Sequence, residues 1–124
     1  MSRQAVLGKR GEQLAVEFLQ KKGYKILERN FKKRYGEIDI IAQVEKTLVF
    51  VEVKTRFSEK YGPPEESVTP WKLRQIAKTG QFYKMLHPEL PDLLRIDVVA
   101  VEFDHQDKLT EIRLLENVYT EGIS

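Results

Sequence analysis

Residues 36–56 read GEIDIIAQVEKTLVFVEVKTR, and this stretch decides the fold. Its two halves, residues 37–43 and 47–55, are rich in the β-branched residues that are typical of strands. Only Val44, Glu45 and Lys46 separate them, which is short enough for an antiparallel hairpin. We therefore expect two neighbouring strands near the centre of a sheet.

Helical patterns flank this hairpin on both sides. Residues 5–22 place apolar side chains three, four and seven apart, which predicts an amphipathic helix, and Gly23 is a typical C-terminal stop. Further along the chain, Thr69 followed by Pro70 is typical of an N-cap and a first helical residue. We expect this second helix to reach about Leu86.

Residues 24–31, 94–103 and 109–115 have strand composition, whereas residues 56–68 predict an irregular loop. The expected fold class is α/β, a mixed β-sheet with flanking helices in the order αβββαβ(β). The second helix is then a crossover between strands too distant for a hairpin. A chain of 124 residues has the size of one domain, so residues 1–124 are expected to form one.

Composition excludes several classes of protein. A hydrophobic fraction of 41% and a charged fraction of 32% are those of a soluble globular chain. The absence of cysteine excludes disulfides, thiolate zinc sites and cysteine nucleophiles, and two histidines leave little imidazole chemistry. Because no apolar run is long enough for a membrane span or a secretory signal, we expect a cytoplasmic protein without a membrane partner.

The net charge of +2 conceals an asymmetry. Residues 1–36 carry ten Lys and Arg against three Glu, a balance of +7, whereas residues 37–124 carry eleven against sixteen acidic residues, a balance of −5. A basic surface beside a carboxylate cluster suits a protein that holds a polyanion and places a divalent cation against it. For a charge run alone, a solvated basic face without a partner is the more common explanation.

Charged side chains lie within the apolar hairpin. Alternation puts Glu52 and Lys54 on one face of their strand, roughly 7 Å apart, and a short turn brings Asp39 opposite or diagonal to Glu52. Two adjacent carboxylates need a cation between them, and oxygen ligands favour Mg²⁺ or Mn²⁺. Lys54 would bind a phosphate or orient the attacking water, so the predicted reaction is phosphodiester hydrolysis.

A simple salt bridge on an exposed face explains an isolated E-x-K tripeptide better, because such pairs are common and contribute little stability. The apolar residues on either side of Asp39 and Glu52 argue against that explanation here. They place both carboxylates in or near a buried sheet, where charge without a function is costly.

Three strings resemble a known family: Gly8-x-x-Gly11-Glu12, GEIDIIA at residues 36–42 and VFVEVKTR at residues 49–56. They are similar to the YraN family of predicted endonucleases. That family resembles the archaeal Holliday junction resolvases within the restriction-endonuclease-like, or PD-(D/E)xK, superfamily. The resemblance covers most of the chain, from about residue 8 to residue 103. It implies a Mg²⁺-dependent DNA endonuclease that acts on branched or damaged DNA, and a homodimer is one state that it allows.

The resemblance also implies roles for individual residues. Asp39 matches the motif aspartate, and Glu52 and Lys54 match the (D/E)xK pair. Glu12 matches the first-helix glutamate that completes the site, so that Asp39, Glu52 and Glu12 would hold the metal ion. Ile38 stands where the motif has proline, a residue that is often replaced in this superfamily.

Other charged residues have two interpretations. Glu37 either orients a neighbouring basic side chain or is an ordinary carboxylate at a strand start. Glu12, judged by pattern alone, is a surface glutamate, although Gly8 and Gly11 suggest a close backbone approach beside it. Asp97, within an apolar strand, is expected to have a structural role.

Substrate contacts are expected from the basic region and from residues beside the motif. The candidates for nucleic-acid binding are Arg10, Arg29, Lys32, Lys33, Arg34, Thr55, Arg56, Lys72 and Arg74. Each of them is individually more often a solvated side chain. The aromatic candidates for stacking on bases are Phe57, Tyr61 and Trp71.

Two other functions are compatible with the sequence. One is a non-catalytic nucleic-acid-binding module that retains the nuclease fold, although an idle site would not need all four of its charged residues. The other is a small assembly protein whose basic face docks an acidic protein. Salt-sensitive binding of DNA would separate this last function from the other two.

Overall fold

The computed structural model describes residues 1–57 and 64–119, apart from the side chain of Glu66. The elements in chain order are helix α1 (Arg3–Lys21), strands β1 (Lys25–Lys33), β2 (Gly36–Val44) and β3 (Thr47–Arg56), a 3-10 helix (Pro64–Ser67), helix α2 (Pro70–Leu86), and strands β4 (Leu93–Phe103) and β5 (Leu109–Leu115). The predicted α/β class and the order αβββαβ(β) are confirmed. The short 3-10 helix lies within the stretch that was expected to be an irregular loop, and residues 58–63 of that stretch lie outside the described residues.

The five strands form one mixed sheet in the order β1-β2-β3-β4-β5. Neighbouring strands are antiparallel except for β3 and β4, which are parallel. A parallel pair cannot be joined by a tight turn, so the chain needs a crossover between the two strands. Helix α2 lies within this crossover, as the sequence predicted.

Local chemistry accounts for the ends of both helices. The Ser2 hydroxyl accepts a hydrogen bond from the Ala5 N–H at 3.1 Å, and the Thr69 hydroxyl accepts one from the Lys72 N–H at 3.1 Å. Each side chain satisfies one of the backbone donors left unpaired at a helix N-terminus. After α1, Gly23 adopts a φ of +89°, which a residue without Cβ reaches at little cost. Gly23 and Thr69 match the stop and start signals in the sequence, whereas α1 begins two residues before the predicted start at residue 5.

Both faces of the sheet are covered by hydrophobic core. The α1-side core joins that helix to residues that include Ile40, Val49 and Val51. The α2-side core joins the other helix to residues that include Ile41 and Phe50. The alternation predicted for β3 is therefore confirmed, and charged residues on β2 and β3 lie within a sheet that is buried on both sides. No helix in the described ranges is long and apolar enough to cross a membrane.

Asp97 is fully buried on β4 and is completely hydrogen-bonded. Its carboxylate accepts bonds from the Tyr24 hydroxyl at 2.8 Å, from Arg95 Nε at 2.9 Å and from the Asn117 backbone N–H at 2.9 Å. A buried charge needs such partners. The structural role expected for Asp97 is confirmed, since the residue ties β4 to the start of β1 and to the chain beyond β5.

Arg113 on β5 joins three carboxylates. It donates to Glu102 and Glu111 at 2.5 Å each and to Glu65 at 2.6 Å. Because Glu65 lies in the 3-10 helix, this ion-pair group fixes that helix against the β4–β5 edge of the sheet. The chain therefore enters α2 from a fixed position.

Candidate active site

Asp39 lies where strands β2 and β3 stop pairing. Their antiparallel register ends at the pair Ile40 and Val51, and one further step would place Asp39 level with Glu52. Here Oδ2 of Asp39 accepts a hydrogen bond from the Val53 backbone N–H at 2.8 Å. A backbone donor within a sheet needs an acceptor, which this carboxylate supplies. The bond holds the Asp39 carboxylate beside β3.

Side-chain alternation along β2 breaks at the same place. Ile38 and Ile40 are two residues apart, yet the first packs in the α2-side core and the second in the α1-side core. On the neighbouring strand β1, Asn30 faces Asp39 and has a φ of +54°. Where the regular pairing of two strands is interrupted, the side chains next to the interruption point in new directions. Asp39 is therefore placed by an irregularity in two strands.

Glu52 is a buried carboxylate, with 4% of the residue exposed. Nζ of Lys54 and Nζ of Lys72 each lie 3.8 Å from Glu52 Oε2. Burial raises the pKa of Glu52, and the neighbouring Asp39 carboxylate raises it further, whereas the two lysines act in the opposite direction. Glu52 therefore tends to retain a proton unless additional positive charge reaches it.

Glu12 on α1 approaches the same carboxylates from the other side of the site. Burial raises its pKa, and the charges of Asp39 and Glu37 contribute to the rise. Arg29 and a hydrogen bond with Asn30 oppose that rise. Glu12 is therefore electrostatically linked to the strand carboxylates and is not an isolated surface glutamate.

A close contact between α1 and β3 brings Glu12 to the site. A Cβ added to Gly11 would lie 2.3 Å from Oγ1 of Thr55, so only glycine permits this separation of helix and strand. The predicted close approach is confirmed for Gly11. It is wrong for Gly8, where an added Cβ would meet no heavy atom within 4 Å, because this residue borders open space.

One cavity of about 390 Å³ collects the predicted catalytic residues. Its lining comprises Gly8, Glu12, Glu37, Asp39, Glu52, Val53, Lys54, Thr55 and Lys72. The convergence of Asp39, Glu52 and Lys54 that the strand pattern predicted is thus present, with Glu12 added from α1. Four carboxylates and two lysines therefore line a space large enough for a hydrated ion and a phosphate.

The donor set fits a hard cation, but with two carboxylates instead of three. Within residues 1–57 and 64–119, no group of three or more His, Cys, Asp or Glu side chains is close enough to hold a metal ion. Asp39 and Glu52 do lie together, and Mg²⁺ commonly binds one or two carboxylates while it keeps waters and phosphate oxygens as its other ligands. The predicted ligand set of Asp39, Glu52 and Glu12 is therefore assembled only in part, and Glu12 remains a predicted ligand.

The residues predicted to bind nucleic acid lie in several places. Thr55 and Lys72 line the cavity, and Arg56 lines an adjoining cavity of about 460 Å³. Arg29 lies near Glu12 and donates a hydrogen bond to Gln13 at 2.9 Å. The remaining exposed candidates near β1 and on α2 are Lys32, Lys33, Arg34 and Arg74.

Arg10 belongs to a different contact. Its guanidinium donates to the Asp107 carbonyl at 2.6 Å and lies 4.9 Å from the centroid of the Phe103 ring. This side chain packs α1 against the β4–β5 turn and does not line the cavity. Of the aromatic candidates, Phe57 lines the adjoining cavity and Trp71 is exposed, whereas Tyr61 lies outside the described residues.

Sequence reasoning missed Asn30 and the position of Lys72. Asn30 hydrogen-bonds Glu12 from a left-handed backbone conformation, and asparagine within a predicted strand is a weak signal of such an irregularity. Lys72 was expected to contact substrate only, yet its ammonium lies beside Glu52. No local pattern indicates that contact, because it depends on how α2 docks on the sheet.

Comparison with known sequences finds close relatives across most of the chain. The family profile described as "Uncharacterised protein family UPF0102" matches residues 11–101. A UPF0102 protein of Geobacter metallireducens is 47% identical over 113 residues, which cover 91% of this chain and 91% of the relative. One from Caldicellulosiruptor saccharolyticus is 42% identical over 113 residues, with coverages of 91% and 96%. Another from Thermodesulfovibrio yellowstonii is 46% identical over 114 residues, with coverages of 91% and 95%.

Proposed function

Since this chain belongs to the uncharacterised protein family UPF0102, its activity must be inferred from the chemistry of its own site, and we propose that it is a metal-dependent endonuclease that hydrolyses DNA phosphodiester bonds. We also propose that the chain is similar to the YraN family and is a member of the PD-(D/E)xK superfamily. Its proposed substrate is branched or damaged DNA.

The observation that carries the proposal is the lining of one cavity by Glu12, Asp39, Glu52 and Lys54. Burial raises the pKa of Glu52, and repulsion by the Asp39 carboxylate raises it further, despite two nearby lysines. Buried repulsion of this kind is costly to stability and is characteristic of sites where charge is arranged for chemistry. A structural salt bridge would not require it.

Asp39 and Glu52 are the residues that would hold a divalent cation. When bound, Mg²⁺ or Mn²⁺ lowers the pKa of a coordinated water and offsets negative charge on the phosphate in the transition state. Asp39 is already oriented by its bond from the Val53 N–H, so little rearrangement is needed for it to act as a ligand.

The lysines supply positive charge for the phosphate. Lys54 extends from the same strand as Glu52, and Lys72 reaches the site from the first turn of α2. Both ammonium groups lie 3.8 Å from Glu52 Oε2, and they would bind phosphate oxygens or orient the attacking water. Glu37 and Glu12 would position these groups and the water through charge.

A DNA strand has a continuous path across this region. The catalytic cavity and the adjoining one share Gly8, Lys54 and Thr55, and the adjoining cavity extends to Arg56 and Phe57. A phosphate backbone along this path would meet basic and hydroxyl side chains on both sides of the scissile bond.

One observation favours a second candidate function, that of a nucleic-acid-binding module without catalysis. Lys54 and Lys72 both lie beside Glu52, and the described residues contain no three carboxylates close enough together to hold a metal ion. A site of this kind could bind a nucleic-acid phosphate without hydrolysing its ester bond. Catalysis must therefore be tested separately from binding.

The test is cleavage of linear, single-stranded, flapped and four-way-junction DNA, with Mg²⁺, with Mn²⁺ and with EDTA. We expect metal-dependent cleavage that falls by about 100-fold or more in Asp39→Ala and in Lys54→Ala, because each loses a group that acts on the reacting phosphate. A matched control is Lys46→Ala, which removes an exposed lysine from the β2–β3 turn.

Metal-independent DNA binding with no cleavage of any substrate would reject the enzyme in favour of the binding module. Cleavage that persists in both site variants would show a contaminating nuclease and would also reject the assignment of these residues. The absence of salt-sensitive DNA binding would reject both functions.

A further inference from the structure

A surface beside the catalytic cavity combines exposed aromatic rings with unbalanced positive charge. We define this basic-aromatic surface by residues 32–35, which are the last two residues of β1 and the β1–β2 turn, and by the outer stripe of α2, which comprises Trp71, Gln75, Lys78, Phe82 and Met85. The turn lies directly against the helix, since a Cβ at Gly36 would come within 3.8 Å of both Gln75 and Thr79. The next residue of β2, Glu37, lines the catalytic cavity. The surface is therefore continuous with the site.

Tyr35 is the aromatic centre of the turn and is 46% exposed. Two cations lie over its ring, with Arg34 Cζ 5.9 Å and Lys78 Nζ 5.8 Å from the ring centroid. The ring also borders a cavity of about 340 Å³ together with Phe82 and Met85. A nucleobase that stacks on this partly open ring would take the place of one of these cations, which could then pair with the neighbouring phosphate.

Trp71 provides a second exposed ring, at 61% exposure, in the first turn of α2. It precedes Lys78 by seven residues, so the two lie on one stripe of the helix about 10 Å apart along its axis. Its neighbour Lys72 reaches Glu52 in the catalytic cavity. A single exposed ring would need no ligand, but Trp71 lies on the same stripe as Phe82 and Met85, which border one cavity with Tyr35, and an apolar patch of this kind indicates an interaction site.

The charge of this surface selects its occupant. Within the surface, residues 32–34 and Lys78 are basic and no residue is acidic, whereas Lys72 and Lys84 of the same helix pair with Glu52 and Asp92. A second copy of the chain docked symmetrically on the same surface would oppose cations to cations. A polyanion with exposed rings of its own is complementary in both charge and shape.

We propose that the basic-aromatic surface binds unpaired nucleotides of the DNA substrate, with bases stacked on Tyr35 and Trp71 and phosphates on the surrounding lysines and arginines. The inference rests on the proposed function for the identity of the ligand as DNA. It specifies that cleavage occurs where a single-stranded segment adjoins the scissile bond, and that an unbroken duplex is bound less tightly at this surface.

The chain offers a direct probe, because Trp71 is its single tryptophan. In EDTA, where no cleavage occurs, we expect an oligothymidylate to quench the tryptophan fluorescence more strongly than a duplex of equal length. Anisotropy of a labelled oligothymidylate should show binding weakened about fivefold or more in Trp71→Ala and in Tyr35→Ala, whereas Trp71→Phe retains most of the affinity. Leu93→Ala, which trims an exposed apolar residue at the start of β4, should bind as the wild type does.

Four results would overturn this inference. The first is saturation by oligothymidylate without any change in tryptophan fluorescence. The second is an equal loss of single-strand and duplex affinity in the two aromatic variants, which would indicate charge alone. The third is competition by polyglutamate as strong as that by oligothymidylate at the same ionic strength, which would indicate an acidic protein partner. An oligouridylate of equal length, if it binds more tightly than oligothymidylate, would reassign the ligand to RNA and overturn the assignment to DNA.

Failure of this inference is distinguishable from failure of the proposed function. Asp39→Ala should quench normally in EDTA, since its substitution lies outside the basic-aromatic surface. If the wild type shows fluorescence quenching but no cleavage, the proposed nuclease activity is rejected and the proposed binding surface is retained. If it shows cleavage but no quenching, only the inference about unpaired bases is rejected.

Discussion

Glu52 occupies an environment that favours its neutral form. It is buried on β3 beside Asp39, and the resulting rise in its pKa persists despite Lys54 and Lys72. In the unfolded chain the group ionises near its ordinary value of 4.5, whereas the folded protein holds the proton to higher pH. The stabilising contribution of the protonated form is therefore complete below the unfolded pKa and is lost as pH rises through the folded pKa.

Glu52→Gln should separate stability from function. The amide resembles the neutral acid in shape but cannot ionise. In EDTA, the free energy of unfolding of the variant should therefore exceed that of the wild type by on the order of 1–2 kcal/mol at pH values above the folded pKa of Glu52. The difference between the two free energies of unfolding should shrink as the pH falls toward 5. In the cleavage assay with a divalent cation, the variant should cleave no DNA at any pH. Urea unfolding at several pH values between these limits measures the first effect.

The control for this experiment is Glu45→Gln, at an exposed position in the β2–β3 turn. Its stability should follow the wild type across the pH range. A Glu52→Gln variant that loses stability in parallel with the wild type as pH rises would contradict the assignment of the pH dependence to Glu52.

At the residue scale, the sequence predicted those site members that depend on strand alternation. Glu52 and Lys54 share a face because they are two residues apart on one strand, and the short turn brings Asp39 to them. Asn30 could not be predicted, since its contact with Glu12 depends on a left-handed backbone within a strand. Local periodicity assumes a regular ladder and fails where the ladder is irregular.

At the scale of elements, the position of α1 against β3 determines whether Glu12 reaches the site. The contact is set by Gly11 and Thr55, whose atoms leave no room for an added methyl group. Any widening of this contact moves the helix, and with it Glu12, away from Asp39 and Glu52. The geometry of the site therefore depends on one glycine within a helix, where glycine is otherwise unfavourable.

Gly11→Ala and Gly8→Ala form a matched pair that tests this contact. Alanine at Gly8 should stabilise the protein by about 0.5–1 kcal/mol through helix propensity alone, because nothing obstructs it. Alanine at Gly11 should instead destabilise the protein by about 1–3 kcal/mol through overpacking and should reduce cleavage. Urea unfolding and the cleavage assay report the two effects.

The double variant Gly11→Ala with Thr55→Ala identifies the cause. Removal of the Thr55 hydroxyl and methyl groups should make the Gly11 substitution much less costly than it is in the wild type. Equal stabilities for Gly11→Ala and Gly8→Ala would show that helix and strand are not in tight contact.

Element boundaries were predictable where a capping residue marks them. Thr69 and Pro70 at the start of α2 and Gly23 after α1 are examples, since each acts through its own backbone conformation or hydroxyl. The 3-10 helix was not predicted. It is fixed by the ion pair between Glu65 and Arg113, residues separated by 48 positions, and no local pattern contains that information.

At the scale of the whole molecule, Asp97 joins three distant parts of the chain. Tyr24 lies before β1, Arg95 lies on β4 and Asn117 follows β5, and all three donate to one buried carboxylate. A single charged group thus connects β4 to the start of β1 and to the segment after β5. Its role is in folding stability and not in the chemistry of the cavity.

Asp97→Ala should destabilise the protein by about 3–5 kcal/mol, because it leaves Arg95 and Tyr24 without their buried partner. The cleavage rate per folded molecule should remain close to that of the wild type, which active-site titration with labelled DNA would measure. Asp92→Ala is the control, since that side chain is exposed and should have little effect. Unchanged stability in Asp97→Ala would contradict the structural role.

The overall arrangement follows from sequence patterns that repeat along whole elements. The order of helices and strands and the crossover at α2 were predictable because periodicity and the spacing of breakers extend over many residues. The contact of Lys72 with Glu52 was not, because it depends on the packing angle between α2 and the sheet. Long-range contacts of this kind are decided by the packing of the whole core.

The hydrogen bond from the Val53 N–H to Asp39 makes a backbone amide sensitive to the state of the site. Its nuclear magnetic resonance signal will shift when the carboxylate binds a cation, because the acceptor then loses electron density. In isotope-labelled protein, occupancy of the site could thus be followed at a single peptide group, without substrate. The same amide would show whether an inactive variant has lost its chemistry or only its ion.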